Sequence, residues 1–252
     1  MRYPILIVAA LAVARALPAS AQPNALAAVR AADANIYFPQ EHGLRDLRAD
    51  IQIEAKGGTA ETTEITRLRY LWKSPGCERW MSLGENPAVV DSPDFFDVWA
   101  VAIVRRPLVE AFAGCREVSL RRAGKDVVIT GTRGPTSLPE RIEITVSKGL
   151  PSKLERKWRD RAIAITDIRY EKRGGGQVPS RFRLDVQTGR DKARIDVAVK
   201  HREIRGLWLP ESITIKSGRE SARLVVGPCQ INEGVPELKC EPPRPAGAAL
   251  AP

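Results

Sequence analysis

The sequence predicts a mainly β chain of the α+β class, in which a large antiparallel sheet, too wide to stay flat, curves around a few short helices. Three observations predict it. Runs of strict period-two alternation recur along most of the chain, glycine-centred turn signals separate them, and only two or three segments carry helical spacing.

Length and composition frame the rest. With 252 residues, 43% hydrophobic and 28% charged, the chain suits one globular domain or at most two and can bury a sizeable core. Residues 1–21 join Arg2 to an apolar stretch from Tyr3 to Ala14 and end in Ala19-Ser20-Ala21, a small-x-small cleavage site. About a dozen apolar residues cannot span a bilayer that needs roughly 20, so this is read as a signal peptide and not as an anchor. The expectation is an exported, periplasmic, soluble monomer whose folded domain is 22–240, followed by a disordered Pro-rich tail, EPPRPAGAALAP, over 241–252.

The elements follow in order. NALAAVRAADANIYF reads as a short helix, with Leu26, Val29, Ala32 and Ile36 at helical spacing. From Leu47 the period changes: Leu47, Ala49, Ile51, Ile53 and Ala55 alternate with Arg48, Asp50, Gln52, Glu54 and Lys56, a strand with one dry and one wet face. The pattern returns in Leu68, Tyr70 and Trp72, in Ile142, Ile144 and Val146, in Phe182, Leu184 and Val186, and in Ala193, Ile195, Val197 and Val199. Turns at Gly57-Gly58, Gly124, Gly174-Gly175-Gly176, Gly189 and Gly218 divide about ten to twelve strands, and the lack of crossover helices makes them an antiparallel meander. One segment breaks the pattern. DSPDFFDVWAVAIVRRPLVEAFAG opens with Ser92 as N-cap and Pro93 at the first helical position, is apolar nearly all round, and predicts a buried helix that Pro107 ends or kinks.

Ten strands at about 4.8 Å make a sheet roughly 50 Å wide, while a helix covers a strip only about 10 Å across. Two or three short helices cannot dry such a face if it stays flat. The sheet therefore curls, as a closed barrel or an open half-barrel, and an apolar space is expected inside it.

Signals of bond-making chemistry are missing. The two histidines, His42 and His201, are far apart and stand in no HExxH, C-x-x-C or G-x-S-x-G context. Asp91, Asp94 and Asp97 lack the spacing and glycine of a calcium loop and are explained by a helix start. The triple glycine leads into Pro179 and another strand, which makes it a hairpin loop and not a phosphate cradle. The net charge of +10 is concentrated on no helix and interleaved with no aromatics, so it reads as a solvated sheet face and nucleic acid is not an expected partner. The expectation is a protein that is not an enzyme and takes no cofactor or metal.

Four cysteines suit an exported chain and can pair in three ways. Proximity in sequence predicts Cys229–Cys240 across INEGVPELK and Cys77–Cys115. Near the end, LWLPESITI carries Pro210 inside a strand, which marks a bulge or an edge. Such a bulge would shift the alternation by one, bring Trp208 to the concave side, and have it covered there by a lid or by cargo.

The order of these features, namely a signal peptide, a short helix, "NIYFPQEHGLRDLRADIQIE", "YLWKSP", a mid-chain apolar segment and a late "GLWLPESITI", resembles the LolA-like, outer-membrane lipoprotein-sorting proteins. The resemblance implies an unclosed β-barrel plugged by helices, carrying lipoprotein acyl chains or other lipids, with membrane-bound donor and acceptor proteins as partners. It implies a concave wall of Ile51, Ile53, Leu68, Tyr70, Trp72 and Trp80, a lid of Phe95, Phe96, Trp99 and Ile103, and Trp208 beside them. The four cysteines and the Pro-rich tail depart from the family. A sensor or protein-binding module of the same fold, without lipid, is the alternative.

Overall fold

The computed structural model describes residues 23–57, 63–84, 87–90, 98–134, 138–238 and 240. The segment read as a signal peptide and the Pro-rich tail lie outside these residues. Helix α1, Pro23–Asp33, forms from an alanine-rich run and buries Ala25, Val29 and Ala32, a stripe at spacings of four and three. Among the described residues the alternating segments then form thirteen strands: β1 (Asp46–Lys56), β2 (Thr63–Lys73), β3 (Cys77–Ser82), β4 (Val89–Val90), β5 (Glu117–Ala123), β6 (Asp126–Thr132), β7 (Arg141–Ser147), β8 (Leu150–Lys157), β9 (Arg161–Arg173), β10 (Gly176–Thr188), β11 (Asp191–Ile204), β12 (Leu207–Ser217) and β13 (Glu220–Ile231). That is one strand more than the upper sequence count.

All thirteen belong to one antiparallel sheet of order β4-β3-β2-β1-β13-β12-β11-β10-β9-β8-β7-β6-β5. The chain walks outward from β1 to β4 at one edge, then resumes at β5 on the opposite edge and returns strand by strand until β13 pairs with β1. The β4–β5 connection must therefore pass from one edge of the sheet to the other. Flat, the sheet would be roughly 60 Å wide. Instead the dry faces of β1, β2, β6, β7, β9, β10, β11 and β13 share one buried cluster with α1 and with the apolar residues of that connection. One eleven-residue helix and one crossing segment can cover so many strands only if the sheet curls round them. Among the described residues no strand pairing joins β4 to β5, so the barrel is unclosed.

The predicted helix over the apolar segment is not formed in its described part. Residues 98–107 are turn and coil, followed by a 3₁₀ turn at Leu108–Phe112, although Val98, Trp99, Ala100, Val101, Ile103 and Val104 are all buried. The topology supplies the reason: a connection that has to cross the sheet gains more reach from coil than from a helix rising about 1.5 Å per residue. Helix α1 also stops earlier than Ile36, which instead makes a parallel bridge to Gln177 on β10. All-round apolarity fixes burial here and leaves the backbone path open.

The disulfide prediction is corrected as well. Cys77 bonds Cys240, and Cys115 and Cys229 are free thiols. The chain leaving β13 folds back over the outward face of β2, where Leu71, Val235 and Leu238 form a second small core, and this brings Cys240 to the start of β3. Sequence proximity could not foresee a contact created by that return.

Candidate functional site

The site is built from the segment that crosses the concave face. Trp99 donates its indole N–H to the Arg106 carbonyl at 2.9 Å, which folds the segment on itself. Arg106 donates to the Gly76 carbonyl in the β2–β3 turn. At the other end, the buried Asp33 carboxylate at the end of α1 accepts the N–H groups of Leu108 and Val109 at 2.8 and 2.9 Å. Burial raises the Asp33 pKa, opposed by those two hydrogen bonds. The segment is thus held at a few points and otherwise by apolar burial, with no sheet ladder of its own.

Facing it is a wall formed by β1, β2 and β3. The period-two pattern puts Ile51, Leu68, Tyr70, Trp72 and Trp80 in the main core, with Ile53 half-buried against it. Tyr70 packs on Trp80 with ring centroids 4.8 Å apart and donates to Glu78 at 3.0 Å. Its pKa lies well above the usual tyrosine value because burial, and then the nearby Glu78 charge, disfavour the phenolate.

Two residues beyond Ile103, a charged side chain is sealed inside. Arg105 is 1% exposed and forms no ion pair among the described residues. Burial lowers its pKa to about 10, with Tyr170 and Tyr37 nearby acting the other way. Its Nη1 lies 3.5 Å from His201 Nε2, and its carbonyl accepts from the Gln40 amide at 2.8 Å. Burial, followed by the charges of Arg105 and Arg173, lowers the His201 pKa to about 3, so the ring is neutral at ordinary pH.

Of the lid and wall residues expected from the sequence, the fold gathers Ile51, Leu68, Tyr70, Trp72, Trp80, Trp99 and Ile103 in one core, with Ile53 at its margin. Phe95 and Phe96 lie outside the described residues. The bulge at Pro210 is present: His201 pairs with Pro210 while Lys200 pairs with Ser212, so Glu211 is the extra residue. Trp208, opposite Glu203, therefore shares the face of the Val199–Ile213 pair. Its cover differs from the expectation. Arg173 lies 5.0 Å above the indole, the Tyr37 hydroxyl accepts the Trp208 backbone N–H at 3.0 Å, and both rings close on Gly174, so the chain after α1 and the β9–β10 hairpin cover it, and neither a lid nor cargo is needed.

Sequence reasoning missed Arg105 and gave His201 no role. A signal existed for the second, since Val197, Val199 and His201 alternate onto one dry face of β11. Two open depressions, of about 530 and 640 Å³, lie elsewhere and are lined largely by outward-facing charged and small residues of β8 to β12, such as Asp185 and Arg194 in one and Arg169 and Arg183 in the other.

No family model matches the chain, and no curated protein matches it. Among solved structures it is similar to an outer membrane lipoprotein-sorting protein domain from Vibrio parahaemolyticus, at 10% identity over 84% of this chain and 94% of that one, with a TM-score of 0.38. It is also similar to a LolA superfamily protein from Nitrosomonas europaea, at 11% identity, 84% and 95% coverage and a TM-score of 0.36. A DUF1329 family protein from Desulfovibrio piger is 9% identical, with 84% and 93% coverage and a TM-score of 0.39.

Proposed function

We propose that this protein is an exported, periplasmic carrier that takes lipoprotein acyl chains or other lipids between its curved sheet and the segment that crosses it. One observation carries the reading: residues 98–112 occupy the concave face mainly through buried apolar side chains, with no strand pairing of their own. In its apolar part, residues 98–104, such a segment can be exchanged for a ligand while Arg105 stays beside His201. Each buried CH₂ of an acyl chain is worth about 0.8 kcal/mol, and the segment gives up a comparable apolar contact when it moves aside. Uptake is then an exchange between two apolar occupants, which keeps binding reversible and lets a donor or acceptor protein tip it. The disulfide suits an oxidising compartment, and no described helix is long and apolar enough to cross a membrane. No covalent step is part of this function.

A second reading has its own support. Trp99, Val101, Ile103 and Phe112 already fill the concave face, as they would in a module of this fold that binds a protein and carries nothing. Mass spectrometry of lipid extracts from the purified protein, joined to titration with a fluorescent fatty acid, separates the two. Co-purifying lipid or saturable uptake supports the carrier; lipid-free protein that takes up no fatty acid sinks it and leaves the protein-binding module.

A further inference from the structure

We infer that Arg105, with His201 and Tyr37, forms a binding site for one anionic group, a carboxylate or a phosphate, inside the concave face. The inference deepens the carrier reading by giving the lipid a charged head, and it rests on that reading for the tail alone.

The first argument is charge. Buried cations are paired or hydrogen-bonded, because an unpaired one loses its hydration without return. Arg105 has no carboxylate within ion-pair distance among the described residues, whereas the neighbouring Arg173 is already paired with Glu171 at 2.7 Å. The uncompensated charge is therefore that of Arg105.

The second argument is unused hydrogen-bonding capacity. Arg105 Nε is buried without a partner, and so is His201 Nδ1. A guanidinium only donates, so the contact of Arg105 Nη1 with His201 Nε2 makes Nε2 the acceptor and leaves the ring proton on Nδ1. The Tyr37 oxygen accepts the Trp208 N–H, which leaves its own proton to give. The orphan Arg105 Nε–H and the unbalanced positive charge fit an oxyanion, and Tyr37, close enough to Arg105 to feel its charge, has a hydroxyl proton to give. The histidine, neutral at ordinary pH, lines the site without adding a second charge. Its partial exposure, and that of Arg173, offers an approach from the side of the β9–β10 hairpin.

The test uses the purified full chain and three probes: oleate, methyl oleate and inorganic phosphate. The Arg105 Nε–H resonance is followed by NMR during the phosphate titration, and lipid affinities are read from tryptophan fluorescence in the native protein, Arg105→Met and Arg105→Lys. Oleate is expected to bind about tenfold more tightly than methyl oleate to the native protein, equally to Arg105→Met, and with an intermediate preference to Arg105→Lys. Without anion, Arg105→Met should melt no lower than the native protein, because it removes a buried unpaired charge; a purely structural arginine would leave it clearly less stable. If Arg105→Met does not fold, the native resonance still decides. A phosphate-dependent shift with no binding of either lipid supports the anion site for a free anion and refutes the carrier. Equal binding of oleate and methyl oleate, or a resonance that phosphate does not move, overturns the anion site, and equal binding leaves the carrier standing.

Discussion

Replacing Trp99 by alanine tests how the crossing segment is held. The side chain is 5% exposed and touches the main core, and its N–H satisfies the Arg106 carbonyl at 2.9 Å. Emptying a buried tryptophan site costs about 3–5 kcal/mol, and the orphaned carbonyl falls within that range as roughly 1 kcal/mol. A chain of this size loses about 2–4 °C in Tm per kcal/mol, so a fall of roughly 6–20 °C is expected. One condition caps the loss. It cannot exceed the free energy that docks the segment, because beyond that point the segment simply detaches while the sheet stays folded. Urea unfolding followed by far-UV circular dichroism gives the global loss. Hydrogen exchange at the Leu108 and Val109 amides, which Asp33 holds, reports detachment. Faster exchange at these two amides with stronger fatty-acid uptake is the expected pair of results. A global loss under about 1 kcal/mol with those amides still protected would refute the reasoning, because the tryptophan would then not be holding the segment.

Three further outcomes are expected. Cys77→Ser opens a bridge spanning 163 residues and should cost about 2–5 kcal/mol, seen as a lower urea midpoint that reducing agent reproduces in the native protein. His201 is depressed to about 3 in the fold against an ordinary 6.5, so it contributes full stability above pH 6.5 and progressively less as pH falls toward 3. Between pH 6.5 and 5 the native protein should lose roughly 2 kcal/mol more than His201→Gln, and parallel stability curves would exclude that assignment. Gly176→Ala would put a Cβ 2.7 Å from the Tyr37 backbone nitrogen, so the Ile36–Gln177 bridge should open at a cost of about 1–3 kcal/mol, checked by thermal melting.

The strands were legible because alternation is a local property. Leu47, Ala49 and Ile51 share a dry face wherever β1 is placed, and Pro210 signals a bulge because it lacks an N–H whatever its neighbours are. The wall residues of the site, Leu68, Tyr70, Trp72 and Trp80, came from the same rule. The segment around Trp99 was harder. An apolar run reports that it will be buried without reporting its backbone path, and here the path follows from where β4 and β5 lie in the sheet.

By itself the amino-acid sequence determined a one-faced antiparallel meander that has to curl, since alternation, turn chemistry and sheet width act through nearest neighbours and simple geometry. Only the tertiary structure decided that Cys77 meets Cys240, that Trp208 lies under Arg173 and Tyr37, and that Arg105 is sealed beside His201. Those contacts join residues up to 171 positions apart, and no local pattern specifies them, because each depends on how the chain returns across the curved face.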